Sequence, residues 1–182
     1  NDITQKAGQK CTAVRRILVP DSLVEAVSEA LLERLEGTRI GYPVERAVQM
    51  GALASKKQLD SVRAGIQAFS AQSKVLCGGA EPVQGLHAPE GKGYFVAPTL
   101  FLANDSDAEI FHSQEIFGPC STILPYDGTA ERALSLMKKG CGSLVTSVYS
   151  NDRKWLQSIL LSAASWNGRL FVVSAKVADS AL

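Results

Sequence analysis

Apolar residues recur along the chain with two spacings, which together predict helices that alternate with strands. Spacings of three and four residues give two helices their buried stripes, which are Leu23, Val27, Leu31 and Leu35 in the first and Leu59, Val62, Ile66 and Phe69 in the second. Apolar runs predict strands over residues 12–20, 74–77, 94–102, 120–124, 143–149 and 169–173. This alternation indicates an α/β fold.

Capping residues and breakers predict where these elements begin and end. Ser22 with Glu25, and Ser55 with Gln58, have the spacing of a capping box at a helix start. Gly168 is expected to end a last helix that begins at about residue 151. The stretch 80–93 is rich in Gly and Pro and predicts a surface loop. Pro98 predicts a break or an edge position because it has no N–H for a sheet.

Composition narrows the class of protein. The chain has 182 residues, of which 46% are hydrophobic and 20% charged, which is typical of a soluble globular domain. A net charge of +1 indicates neither nucleic acid nor an anionic membrane as partner. The first residues are polar, unlike a signal peptide, and no methionine opens the chain. We therefore expect a piece that begins inside a longer protein.

Cysteine and histidine usage argues against a metal site. The four cysteines are Cys11, Cys77, Cys120 and Cys141, and their wide spacing fits neither a disulfide framework nor zinc. Two histidines are too few for a metal cluster, and we expect His112 to make a structural hydrogen bond. The chain is expected to keep free thiols in a reducing, cytoplasmic setting. Cys77 and Cys141 adjoin glycines and are expected to be structural.

Cys11 is the candidate nucleophile. Gly8 permits a sharp turn before the sulfur, and Lys10, Arg15 and Arg16 bring positive charge, which favours a thiolate. From these features alone, a lone cysteine is more often a small buried hydrophobic residue than a nucleophile.

A second informative stretch is Glu115-Ile116-Phe117-Gly118-Pro119. Spacing alone favours a surface acid followed by a buried loop residue. A carboxylate can also accept two hydrogen bonds from a diol, so a sugar ligand fits the same residue.

Together these stretches resemble the aldehyde dehydrogenase superfamily, in which Gly-Gln-x-Cys carries the catalytic cysteine and Glu-x-Phe-Gly-Pro is a second signature. Residues 50–55 resemble a third segment, Met-Gly-Pro-Leu, with Ala52 in place of the proline. Residues 41–43 resemble a Gly-Asp-Pro turn, with Tyr42 in place of the acid.

The resemblance implies a three-layer α/β sandwich with a largely parallel sheet flanked by helices. Residues 1–182 would be the catalytic domain, without the cofactor-binding domain and the C-terminal segment. Cys11 would attack a small-molecule aldehyde, and Glu115 would bind the ribose hydroxyls beside the nicotinamide of NAD or NADP. Phe117 would pack against this cofactor. We expect the full-length protein to be a homo-oligomer, and we expect Cys11 and Glu115 to face one cleft at the carboxyl ends of the strands.

One branch of the superfamily is more similar than the others. Residues 8–16, 111–115 and 140–144 look like enzymes of aerobic aromatic-acid breakdown, which oxidise a semialdehyde carried on coenzyme A. They include the dehydrogenase part of the phenylacetate-pathway bifunctional protein and the related benzoate-pathway enzyme.

Two other interpretations remain open. The chain could be an inactive remnant or interaction domain that keeps the fold, since the family's general base and second oxyanion donor lie upstream of the cysteine. It could also belong to an acylating dehydrogenase that transfers the thioester to coenzyme A.

Overall fold

The computed structural model describes residues 2–174, and the chain divides into two compact units, Asn1–Pro125 and Tyr126–Leu182. The first contains β1 (Arg16–Pro20), α1 (Val24–Glu36), α2 (Lys56–Ser70), β2 (Ser73–Cys77), β3 (Thr99–Ala103), α3 (Ile110–Ser113) and β4 (Cys120–Tyr126), which ends at the boundary. The second contains α4 (Ala130–Lys139), β5 (Ser143–Tyr149), α5 (Arg153–Ala164) and β6 (Asn167–Val173). None of the helices in residues 2–174 combines the length and hydrophobicity that a bilayer requires.

The four strands of the first unit form one sheet in the order β1-β4-β3-β2. Strands β3 and β4 are parallel, with Thr99 opposite Cys120, whereas β2 and β3 are antiparallel. Strands β5 and β6 of the second unit form a separate parallel pair. These pairings confirm the predicted α/β class with a mostly parallel arrangement.

Alternate residues of the central strands face two different apolar clusters. Phe101 and Leu124 pack in the cluster that contains the buried stripe of α2, and Leu100 and Ile123 pack in the cluster that contains Leu35 of α1. Because side chains alternate between the faces of a sheet, α1 and α2 cover opposite faces. The first unit therefore has the predicted three layers.

Helix α2 confirms the sequence prediction closely. Ser55 is its N-cap and accepts a hydrogen bond from the Gln58 N–H at 3.3 Å. The predicted stripe is buried, and the ring of Phe69 packs against Phe101 and Phe111 with centroid distances of 5.6 and 5.2 Å. This buried face supports the loop that precedes β4.

Some predicted boundaries were wrong. Ser22 makes no cap, because a 3-10 turn at Asp21–Leu23 comes first and α1 begins at Val24. Gly168 does not end α5, which stops at Ala164; it lies inside β6. The prediction for Pro98 is confirmed, because β3 begins at the next residue.

Candidate active site

The chain comes close to itself where Gly8 meets the Gly118–Pro119 peptide. Gly8 is buried and has a φ of +69°, a left-handed conformation that glycine tolerates best. A β-carbon at Gly8 would overlap the carbonyl group of Gly118 and lie 2.6 Å from the nitrogen of Pro119. The two stretches singled out in the sequence are therefore in direct backbone contact.

The segment before Cys11 has an unusual backbone. Lys6 and Ala7 have φ values of 54° and 52°, so three consecutive residues are left-handed, two of which are not glycine. Each such residue costs about 1–2 kcal/mol. The Gln9 N–H donates to the Lys6 carbonyl at 3.0 Å, and Ala7 is buried, so the surrounding structure maintains this conformation.

Cys11 is exposed and lies on the turn that follows. The Ala13 N–H donates to the Lys10 carbonyl at 3.1 Å and closes this turn. The Lys10 amine binds Asp2 Oδ1 at 2.8 Å and Gln5 Oε1 at 2.6 Å. It is thus already paired with a carboxylate, which weakens the expectation that Lys10 promotes thiolate formation at Cys11.

Gln9 is hydrogen-bonded to three separate segments. Its Oε1 accepts from the Ala54 N–H at 2.9 Å, and its Nε2 donates to Gln58 Oε1 at 3.2 Å and to the Phe117 carbonyl at 3.3 Å. The side chain two residues before Cys11 therefore fixes the start of α2 and the second stretch together. Sequence reasoning quoted Gln9 within its motif but gave it no role.

Glu115 and Phe117 lie on either side of a buried residue, Ile116. The Ile116 side chain packs at Gly65 of α2, where a β-carbon would lie 2.8 Å from it. By contrast, the Glu115 side chain is 58% exposed and Phe117 is 38% exposed. This arrangement attaches the loop to α2 and leaves the carboxylate and the ring available to a ligand.

Arg15 connects the two stretches through its guanidinium group. Nη2 donates to the Gly8 carbonyl and Nη1 donates to the Gly118 carbonyl, each at 2.7 Å. Nε lies 3.4 Å from Glu115 Oε1, and the guanidinium carbon lies 5.6 Å from the centre of the Phe117 ring. Sequence reasoning treated Arg15 only as a charge near the thiol, because contacts across 100 residues of sequence leave no local signal.

A groove with a volume of about 910 Å³ opens beside these residues. Its walls are largely apolar and include Gln9, Gln58, Phe95 and Phe117, with Lys6 and Lys92 among the charged residues. Of the three site residues expected from the sequence, Phe117 alone lines this groove.

Cys11 and Glu115 both precede a strand, since β1 begins at Arg16 and β4 at Cys120. The expectation that they lie at carboxyl ends of strands was therefore wrong. The hydrogen bond from the Thr122 N–H to the Arg15 carbonyl, at 2.8 Å, shows that these two neighbouring strands bring their entry segments together.

The other thiols differ in exposure. Cys120 is buried, and burial raises its pKa to about 12. Burial also raises the pKa of the half-buried Cys77 thiol. Cys141 does not fit the structural role expected for it, because it is exposed on a turn with a φ of +54°. Two cysteines, Cys11 and Cys141, are thus open to reagents.

His112 has a structural role, as expected. Its Nε2 lies 2.8 Å from the Ser106 carbonyl, so Nε2 carries the proton, and its Nδ1 accepts from Arg16 Nη1 at 3.0 Å. The Arg16 guanidinium is therefore engaged with His112, in contrast to the expectation that it activates the thiol.

Comparisons with known proteins agree with this architecture. Residues 1–168 match the model of the aldehyde dehydrogenase family. The chain is 36% identical, over 97% of its length and 34% of the relative's, to a 3,4-dehydroadipyl-CoA semialdehyde dehydrogenase from Aromatoleum evansii. It is 33% identical to a putative aldehyde dehydrogenase from Staphylococcus haemolyticus, over 88% of this chain and 33% of the relative.

Solved structures give the same result. A 1-pyrroline-5-carboxylate dehydrogenase is 28% identical, with a TM-score of 0.80 over 94% of this chain and 31% of its own. A betaine aldehyde dehydrogenase from Staphylococcus aureus in complex with NAD+ shares the fold, with a TM-score of 0.83 at 24% identity over 94% of this chain and 33% of its own. The chain spans about a third of the length of these relatives. It belongs to the aldehyde dehydrogenase family.

Proposed function

We propose that this chain is the catalytic domain of a longer NAD(P)-dependent aldehyde dehydrogenase, which oxidises an aldehyde to a carboxylic acid. The observation that carries the proposal is the contact between the segment bearing the exposed Cys11 and the segment bearing Glu115 and Phe117. It puts a nucleophile and a ribose-binding carboxylate on adjoining loops.

The residues present fit a nicotinamide cofactor. Glu115 has an exposed carboxylate whose contact with Arg15 uses Oε1, so Oε2 is available as an acceptor for a ribose diol. Phe117 presents a partly exposed ring on the wall of an open, largely apolar groove. A nicotinamide ring bound there would accept the hydride that leaves the substrate carbon.

Cys11 performs the covalent chemistry in this proposal. Its thiolate adds to the aldehyde carbon, which forms a C–S bond and places negative charge on the former carbonyl oxygen. The Cys11 backbone N–H is one donor to this oxygen. Loss of hydride leaves Cys11 as a thioester, and water then releases the acid and restores the thiol.

The base that activates water is assigned to another part of the longer protein. Asp2 is the carboxylate found among residues 1–10, and it is bound to the Lys10 amine. The family resemblance implies an upstream glutamate for this task. That assignment agrees with a chain that spans a third of its relatives.

For the substrate we propose a CoA-linked semialdehyde derived from the breakdown of an aromatic acid, such as phenylacetate or benzoate. The name of the Aromatoleum evansii relative, identical at 36% of positions, supports this class. The four free thiols fit a cytoplasmic enzyme, and we propose a homo-oligomer for the full-length protein.

The test is an assay of the full-length protein with a CoA-linked semialdehyde and NAD+ or NADP+, followed through the reduced cofactor. Cys11→Ala is expected to lower kcat by at least about 10³-fold, whereas Cys141→Ala, the matched control at the other exposed thiol, leaves it unchanged. Full activity of Cys11→Ala would refute the assigned nucleophile. A product formed only with free coenzyme A would indicate the acylating reaction, and no turnover of any aldehyde would indicate an inactive remnant.

A further inference from the structure

The Arg15 guanidinium occupies the place where two backbone carbonyls converge. Gly8 and Gly118 are in contact, and the oxygens of both residues accept hydrogen bonds from the guanidinium at 2.7 Å. The Arg15 side chain is only 21% exposed, so water is a poor substitute for these two donors.

The remaining face and edge of the same group contact the residues assigned to the cofactor. Nε pairs with Glu115 Oε1 at 3.4 Å, and the guanidinium carbon lies within cation–π distance of the Phe117 ring, at 5.6 Å. One side chain thus contacts both residues that would hold the nicotinamide ribose and the loop that carries the nucleophile.

We propose that Arg15 is a positioning residue that sets the Glu115 carboxylate and the Phe117 ring at a fixed place relative to the Cys11 turn. This inference rests on the proposed function. Arg15 itself touches neither substrate nor cofactor in it; Arg15 acts through the orientation of Glu115 and Phe117.

A lysine cannot replace this arrangement. The planar guanidinium directs separate N–H groups at two carbonyls and a carboxylate while its face lies near a ring. An ammonium group on a flexible stem keeps the charge but loses that fixed geometry. Arg15→Lys therefore separates charge from geometry.

The test compares Arg15→Lys and Arg15→Met with the wild type in the full-length protein, with Arg34→Lys as a control on the exposed surface of α1. We expect both Arg15 variants to raise the Kd and KM for NAD(P)+ about 10-fold or more, because small misplacements of binding groups have effects of this size. The KM for the aldehyde and the melting temperature of Arg15→Lys should stay near wild type, as in Arg34→Lys.

A second readout needs no turnover. Hydrogen exchange of peptides covering residues 8–13 and 115–119 should accelerate together in Arg15→Met, and in neither peptide in Arg34→Lys. Wild-type cofactor affinity in Arg15→Lys and Arg15→Met, or unchanged exchange in both segments, would overturn the inference. An inactive wild type with accelerated exchange in Arg15→Met would instead count against the proposed function and leave the positioning role of Arg15 supported.

Discussion

Gly8 and Gly118 are in contact although 110 positions separate them in the sequence, and a β-carbon on Gly8 would overlap the Gly118 carbonyl. This contact, rather than any single side chain, joins the loop of the candidate nucleophile to the loop of the candidate cofactor residues. It explains why a glycine stands three residues before Cys11: the position needs both a left-handed backbone and the absence of a side chain.

Gly8→Ala is expected to lower the free energy of unfolding by at least about 2 kcal/mol, because left-handed strain and overlap with Gly118 add. Gly91→Ala is the matched control, since Gly91 has a similar φ of +65° but open space around its α-carbon. It should cost only the conformational strain, about 1–2 kcal/mol. Urea unfolding of the two variants measures the difference, and equal costs would mean that the contact with Gly118 is unimportant.

Gln9→Leu is expected to lower the free energy of unfolding by about 1–3 kcal/mol, because the Ala54 N–H loses its acceptor and the Phe117 carbonyl loses a donor. It should also weaken NAD(P)+ binding by loosening the Phe117 loop. The control is Gln84→Leu, since the hydrogen bonds of Gln84 stay within residues 84–91. Calorimetric titration with NAD(P)+ distinguishes the two; equal affinities would contradict the role of Gln9.

Limited alkylation with iodoacetamide at neutral pH should label Cys11 first and Cys141 next, because these two thiols are exposed. Cys77 should react slowly and Cys120 last, since burial raises both pKa values and a protonated thiol is a poor nucleophile. With a pKa of about 12, Cys120 stays protonated from pH 7 to pH 9, so raising the pH in this range should not expose it to labelling. Peptide mass spectrometry gives the order, and faster labelling of Cys141 than of Cys11 would remove the chemical support for Cys11 as nucleophile.

Local sequence patterns predicted the parts of the fold that depend on neighbouring residues. The Ser55 cap, the stripe of α2 and the break at Pro98 follow from spacing and from backbone chemistry that acts within a few positions. Ser22 failed because a competing 3-10 turn, which capping spacing does not reveal, occupies that position.

The site was only partly visible in the sequence. Cys11, Glu115 and Phe117 stand out through motif resemblance, whereas the roles of Gln9 and Arg15 depend on partners about 45 to 108 positions away. The charges of Lys10 and Arg16 suggested thiol activation, but in the folded chain they bind Asp2 and His112. Tertiary contacts thus reassigned residues whose charge alone was ambiguous.

The most direct test of the central claim is to trap the covalent intermediate. Full-length protein is mixed with the aldehyde and NAD(P)+, quenched in acid within the first turnover, digested and analysed by peptide mass spectrometry. We predict an acyl group on the peptide that contains Cys11, formed only when NAD(P)+ is present, because the thioester requires loss of hydride. Turnover with the acyl group on another residue, or with Cys11 unmodified throughout, would contradict the assignment of Cys11 as the nucleophile of this enzyme.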